Sequence, residues 1–352
     1  MTVRWALLGP GRHAGRSVVQ QLKQAADTEL AAIVSRDRVR GEAFAQTHGV
    51  HKVYGSVEEV LRARDIDAIY DATPDGLHAQ HAIAAAEAGK HALIEKPLAL
   101  SVAEAAQAIA ASRRHGVKLG VVFNQRHEAV HQEARRMVLA GAIGDVKLVH
   151  VQIALRTAIS RGSAGAPVTW RTDPKFRAGG IVVSIGDHAY DTLAYLVGQE
   201  IVSVATLTDA TRTNPPNERV ASMLLKLSGG AIGYAVASFV TPFARRPFEI
   251  HSTTGTIIIE NSYTYLTGAG DDPTPTLTLV NEAGSTVRRF PPTNSFRLEI
   301  EQFNRAIAGQ GEPMTPPEEG LRALAIGEAL YTAVKSGQTH KVADFLPSVG
   351  AA

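Results

Sequence analysis

The chain contains no cysteine among its 352 residues. That removes disulfides, thiolate nucleophiles, cysteine-ligated zinc and iron–sulfur clusters together, so any chemistry must run on histidine, lysine, carboxylates, hydroxyls or a bound cofactor. A charge excess is also missing: 36 Lys and Arg against 34 Asp and Glu leave a formal charge of +2. Despite a pI of about 8.8, this is too little to hold nucleic acid or an anionic membrane. No run approaches the roughly 18 consecutive apolar residues that cross a bilayer. The first residues, Met1-Thr2-Val3-Arg4-Trp5, show neither the basic stretch and apolar core of a signal peptide nor a twin-arginine pair. A small-molecule partner and a cytoplasmic location are expected.

What is present is the composition of a folded chain, 45% hydrophobic and 20% charged. At roughly 150 residues per domain the length predicts two domains. Up to residue 124, short apolar runs (Val3 to Leu8, Leu30 to Val34, Ala68 to Ala72, Ala92 to Ile94, Leu119 to Phe123) alternate with stretches of helical period. This is the pattern of βαβ units and a parallel sheet. Beyond about residue 125 the rhythm changes. One helix, Ala129 to Leu139, is followed by strands at Val146 to Leu155, Ile201 to Leu207, Arg219 to Leu227, Ala231 to Phe239, Phe248 to Ser252 and Thr256 to Glu260. Strand after strand with turn-rich joints predicts a largely antiparallel sheet. Helices return at Phe296 to Ala308 and Glu318 to Ser336 and are expected on that second sheet.

Gly9-Pro10-Gly11-Arg12-His13-Ala14 follows the first predicted strand and opens a helix, the context a dinucleotide fingerprint requires. Gly9 and Gly11 permit a tight turn and close approach of a pyrophosphate to helix N-terminal amides, and Ala14 permits close helix–strand packing. The second strand ends in Ser35-Arg36-Asp37, with Arg38 and Arg40 following. Ser35, Arg36 and Arg40 match a 2′-phosphate, so NADP is expected over NAD. The plainer reading makes the arginines a solvated turn and gives Asp37 the ribose.

Asp71-Ala72-Thr73-Pro74-Asp75-Gly76-Leu77-His78 follows the third predicted strand, and Leu93-Ile94-Glu95-Lys96-Pro97 the fourth. Both lie at carboxyl ends of parallel strands, where open α/β sheets bind ligands. With these segments the chain resembles the Gfo/Idh/MocA oxidoreductases. The likeness continues through Phe123-Asn124-Gln125-Arg126, Trp170-Arg171 and Gly179-Gly180 to Gly186-Asp187-His188-Ala189-Tyr190-Asp191.

The resemblance implies an α/β Rossmann domain over residues 1–124 and an α+β domain over 125–352. The large, mostly antiparallel open sheet of the latter would form the substrate floor and the interface of a homodimer or homotetramer. It implies hydride transfer between NAD(P) and an alcohol or ketone carbon of a sugar, polyol or sugar-derived compound. Lys96 is then the catalytic lysine, polarising a carbonyl or relaying the alcohol proton. His188 donates or accepts that proton, and Asp191 orients it or binds substrate. Gly9, Gly11, Arg12, His13, Ala14, Ser35, Arg36, Arg40, Thr73, Pro74, Leu77, His78, Glu95, Lys96, Asn124, Trp170 and Arg171 are the cofactor candidates. Lys96, Arg126, Ser184, Asp187 and His188 are those for the substrate. Many relatives carry aspartate where this chain has Ser184, and an apolar residue where it has Asp71.

Two readings compete. A chain with these departures could bind NADP as a sensor without turnover. His127-Glu128-Ala129-Val130-His131 is a literal HExxH, the zinc hydrolase pattern, but it falls where the second domain begins and no third ligand follows at a recognisable spacing. No metal is expected.

Overall fold

The computed structural model describes residues 1–154, 173, 175–209, 218–241, 247–262 and 274–347. The first sheet holds β1 (Val3–Leu8), β2 (Thr28–Val34), β3 (Lys52–Tyr54), β4 (Ala68–Asp71), β5 (His91–Ile94) and β6 (Leu119–Val121), in the order β3-β2-β1-β4-β5-β6. Its pairings are parallel. The strand order reverses between β1 and β4, and the carboxyl ends of these strands flank the crevice in which such sheets take their ligands. A π-turn at Ala14–Val18 leads into α1 (Val19–Gln24), and α2 (Arg38–His48), α3 (Val57–Leu61), α4 (His78–Glu87) and α5 (Val102–Arg114) complete the crossovers.

Helix α6 (Ala129–Leu139) leads to β7 (Val146–Ala154). Short α7 (Ile181–Ser184) and α8 (Gly186–Val197) precede β8 (Ile201–Thr208), β9 (Val220–Leu227), β10 (Ile232–Ser238), β11 (Phe248–Ser252), β12 (Gly255–Glu260), β13 (Thr276–Asn281) and β14 (Gly284–Arg289). Helices α9 (Ser295–Ile307) and α10 (Pro317–Ser336), the two-residue β15 (His340–Lys341) and a 3₁₀ turn at Val342–Phe345 close the described chain. The second sheet is nine-stranded, β14-β13-β12-β11-β7-β10-β9-β8-β15, and antiparallel except for the β7–β10 pair. Period-two alternation decides its inner face: β9 buries Ala221, Met223, Leu225 and Leu227 and exposes Ser222, Leu224 and Lys226. Each large apolar side chain buried in this way is worth about 1.5–3 kcal/mol. Helix α8 packs on β7 and β10, and α10 on β8.

Helix α9 departs from the expectation that both late helices lie on the second sheet. Its Phe296, Ile300 and Phe303 join Val3, Trp5, Leu7, Val18, Val19 and Leu22 in one core, so it covers the first domain. Trp5 and Phe303 meet at 5.7 Å between ring centroids, and Trp5 Nε1 donates to Asn304 Oδ1 at 3.1 Å. Amphipathic spacing fixed that a helix forms, but not which apolar surface receives it.

Candidate active site

The glycine loop leaves β1 with Gly9 at φ 75°. A Cβ there would stand 2.6 Å from the Ala72 carbonyl oxygen, so glycine is required both by conformation and by the close approach of the loop after β4. A Cβ on Gly11 would meet only the Gly9 carbonyl oxygen, at 3.8 Å, which leaves room at the start of the following turn. Arg12 and His13 are exposed and Ala14 is buried. His13 Nε2 lies 2.6 Å from Glu95 Oε1, and Tyr70 Oη donates to the same oxygen at 2.9 Å. Burial alone would raise the Glu95 carboxyl, but the charge and hydrogen bond of His13, with Tyr70 and Lys96, bring it below the usual carboxylate range. These features fit a dinucleotide: an open cradle at Gly11, the exposed guanidinium of Arg12, and a backbone turn that tolerates only glycine.

At the end of β2 the Ser35 hydroxyl donates to the Asp37 carbonyl oxygen at 2.7 Å. Asp37 Oδ1 caps α2 by accepting from Arg40 N at 3.0 Å, so this carboxylate is spent in part on the helix start. Arg36 and Arg40 are exposed beside it. On the loop after β4, Thr73 N donates to Asp71 Oδ1 at 2.9 Å, and Pro74 precedes a 3₁₀ turn at Asp75–Leu77, of which Leu77 is the last residue. Ala178 N donates to Asp75 Oδ2 at 3.2 Å, which ties this loop to the second domain. Asn124 is wholly buried, its amide donating to Ser295 Oγ at 2.8 Å. Trp170 and Arg171 lie outside the described residues.

Lys96 follows β5 and reaches across to the second domain. Its ammonium donates to the Ser184 carbonyl oxygen and lies 3.2 Å from Asp187 Oδ1. The carboxylate beside the lysine is that of Asp187, while Ser184 offers its backbone carbonyl. Burial pushes the Asp187 carboxyl up to about 6, against the pull of Lys96, and its Oδ2 is buried with no hydrogen-bond partner among the described residues. His188 packs edge-on to Phe123 at 6.4 Å. Burial, with the charges of Lys96 and His13 adding to it, holds His188 well below its ordinary pKa, so the imidazole is neutral. Its Nδ1 is also buried without a partner among the described residues. Two orphaned polar atoms beside a lysine are what a site leaves for the hydroxyls of a ligand.

Of the two roles expected of Asp191, orienting His188 or binding substrate, the first is not the contact its carboxylate makes. Its carboxylate is taken by Arg126, with Nη2 to Oδ1 at 2.6 Å and Nε to Oδ2 at 3.1 Å. Arg126 also reaches Glu319 Oε2 at 3.0 Å. Burial works against the guanidinium charge, but Asp191 and Glu319 hold it firmly cationic. Sequence reading missed this cluster because its members lie 65 and 193 residues apart, and nothing local announces the pairing.

The HExxH residues are divided between two elements, a 3₁₀ turn at Asn124–His127 and α6, which starts at Ala129. His127 Nε2 lies 3.9 Å from Glu299 Oε1, Glu128 Oε2 accepts from Thr293 Oγ1 at 2.9 Å, and His131 Nδ1 is 2.8 Å from the Gln125 carbonyl oxygen. The two histidines therefore do not stand one turn apart on a single helix, which is the arrangement zinc hydrolases use.

Fold and site together define a nucleotide-dependent oxidoreductase. Residues 3–123 match the oxidoreductase family with the NAD-binding Rossmann fold, and residues 131–258 match the GFO/IDH/MocA C-terminal domain. The chain belongs to this family. It is 29% identical to the 1,5-anhydro-D-fructose reductase of Ensifer adhaerens, covering 96% of this chain and 98% of the relative. To D-xylose 1-dehydrogenase (NADP(+)) 2 of Haloferax volcanii it is 31% identical, over 95% and 98% of the two chains. The crystal structure of aldose-aldose oxidoreductase from Caulobacter crescentus, complexed with glycerol, superposes with a TM-score of 0.84 at 26% identity, over 97% and 100%.

Proposed function

We propose that the protein transfers hydride between NADP and an alcohol or ketone carbon of a sugar, polyol or sugar-derived compound, with Lys96 and His188 handling the proton. The carrying observation is the convergence of Lys96, Asp187 and the unpartnered His188 Nδ1 at the mouth of the first sheet. When bound, the nicotinamide supplies the two-electron acceptor or donor. Lys96 binds the substrate oxygen with the N–H that Ser184 and Asp187 leave over, and stabilises negative charge on it. Neutral His188 takes the hydroxyl proton in the alcohol direction and returns it in the carbonyl direction. Residues 1–124 hold the nucleotide and 125–352 the substrate. The exposed Arg36 and Arg40, with Asp37 capping α2, support NADP over NAD. A cytoplasmic homodimer or homotetramer completes the reading, with fractionation as the check on location. No helix among the described residues is long and apolar enough to cross a membrane.

The test is NADPH-dependent reduction of 1,5-anhydro-D-fructose and NADP-dependent oxidation of D-xylose, extended to other sugars, polyols and dihydrodiols. Lys96→Ala is expected to lower kcat by about 100-fold or more while still binding NADPH. Near-normal turnover by that variant would refute the assignment. Tight NADPH binding with no turnover on any compound would favour a silent sensor instead.

A further inference from the structure

Asp71 has no part in the chemistry above, yet it is fully buried at the end of β4, with His81 and His78 also buried beside it. Its two oxygens are both used. Oδ1 accepts from Thr73 N at 2.9 Å, and Oδ2 lies 2.8 Å from His81 Nδ1. His78 is held in a way that fixes its protonation. Its Nδ1 is 2.7 Å from the Pro97 carbonyl oxygen and its Nε2 is 3.0 Å from the Thr73 carbonyl oxygen. A carbonyl oxygen can only accept, and a neutral imidazole has a single N–H, so a neutral ring would turn a lone pair toward one of the two oxygens. Only the imidazolium donates to both. A buried cation of this kind needs a buried anion close by, and Asp71 is the residue that supplies it.

We propose that Asp71, His78 and His81 form a charged bracket in which His78, as an imidazolium, pins the loop after β4 to the loop after β5 and so positions Lys96. The Thr73 residue is gripped at both ends, its N–H by Asp71 and its carbonyl by His78. The same peptide lies against Gly9, where a Cβ would be 2.8 Å from Thr73 N. Pro97, the other anchor, is bonded directly to Lys96. Two loops are thereby fixed to one ring, and the glycine loop packs against the first of them. The charged groups facing the bracket are Asp71 from β4, Asp75 from its own segment and, toward His81, Glu58 from α3. Helix α5, packed on α4, brings buried Ala105, Ala108 and Ile109. Burial alone would depress the His78 ring, but Asp71, Asp75 and the two carbonyls raise it above its ordinary value. Asp71 is the sequence oddity that no local motif explained, and its role is to be the counter-ion of the bracket.

The charge state of His78 stands independently of the proposed reaction, whereas the positioning role rests on Lys96 being its proton-handling residue. Two measurements separate them. In full-length protein with ¹⁵N-labelled histidine, long-range ¹H–¹⁵N spectra, assigned with His78→Gln, should show both His78 nitrogens protonated at about pH 7, where a free histidine is mostly neutral. In Asp71→Asn, which keeps the shape of the side chain, that signature should vanish at the same pH. A single ring proton on wild-type His78 at about pH 7 would overturn the bracket whatever the enzyme does. In NADPH-dependent reduction of 1,5-anhydro-D-fructose, Asp71→Asn should lose about 10- to 100-fold in kcat with NADPH affinity kept within about threefold. His81→Asn, which leaves the Asp71 charge in place, should lose less. Equal losses in the two variants, or unchanged kcat in Asp71→Asn, would overturn the positioning role. Absence of wild-type turnover counts against the proposed function, while the ring spectrum still decides the bracket.

Discussion

Asp187 stands immediately before His188 and three residues after Ser184, and this small displacement matters for the lysine. Holding Lys96 requires the Asp187 carboxylate to be ionised, and its pKa is pushed up to about 6 by burial. As pH falls through about 6, Asp187 gains a proton and Lys96 loses the negative charge opposite it. The acid limb of a kcat/KM profile for alcohol oxidation should therefore have an apparent pKa near 6. In Asp187→Asn that limb should disappear and kcat should fall by about 10- to 100-fold at neutral pH. A wild-type profile that is flat across this range would count against the Asp187–Lys96 pair. At this scale the sequence was informative where a motif is contiguous: Gly9, Lys96, Asp187 and His188 could all be picked out from their neighbours. It was silent on Arg126 meeting Asp191 and Glu319, because that contact is made only when α8 and α10 close on the 3₁₀ turn at Asn124–His127. The same silence left Asp71 unexplained until His78 and His81 were seen around it.

Among elements, five of the six parallel strands were legible because they are largely buried, so each reads as an apolar run, whereas the three-residue edge strand β3 has no fully buried residue and went unread. The hairpin of β13 and β14 was not legible either. All six residues of β14 are exposed, and a strand without a buried face carries no alternation to read. Helix α8 was seen as a motif but not as a helix, since ten of its twelve residues are buried and a helix buried nearly all round has no polar stripe. The β2–α2 junction is an element-scale determinant of nucleotide choice. With Asp37 committed to the α2 cap and Arg36 and Arg40 exposed, kcat/KM with NADPH should exceed that with NADH by about tenfold or more. Paired assays with the two nucleotides on one substrate would settle it, and a clear preference for NADH would sink the proposal.

For the whole molecule, the outer face of the second sheet bears on assembly. Leu148, Ile232 and Leu224 are exposed there, and His150 stacks on Tyr234 at 4.2 Å between centroids. Strand register places Leu148 opposite Ile232 and Tyr234 opposite both His150 and Leu224, so these side chains form one apolar surface rather than scattered exposures. Light scattering should give a dimer or tetramer, and Leu224→Lys should shift the protein toward monomer. A wild-type monomer would correct the proposal.

The place of α9 bears on how the chain is made. Trp5 and its partner Asn304 lie 299 residues apart, yet α9 supplies the apolar cover for the outer side of β1. At roughly 5–20 residues per second of synthesis, β1 emerges about 15 to 60 s before that cover exists. Through this interval Val3, Trp5 and Leu7 have only the early part of their cover, from Val18, Val19 and Leu22, so the amino-terminal domain completes its core only when the far end of the chain has been made.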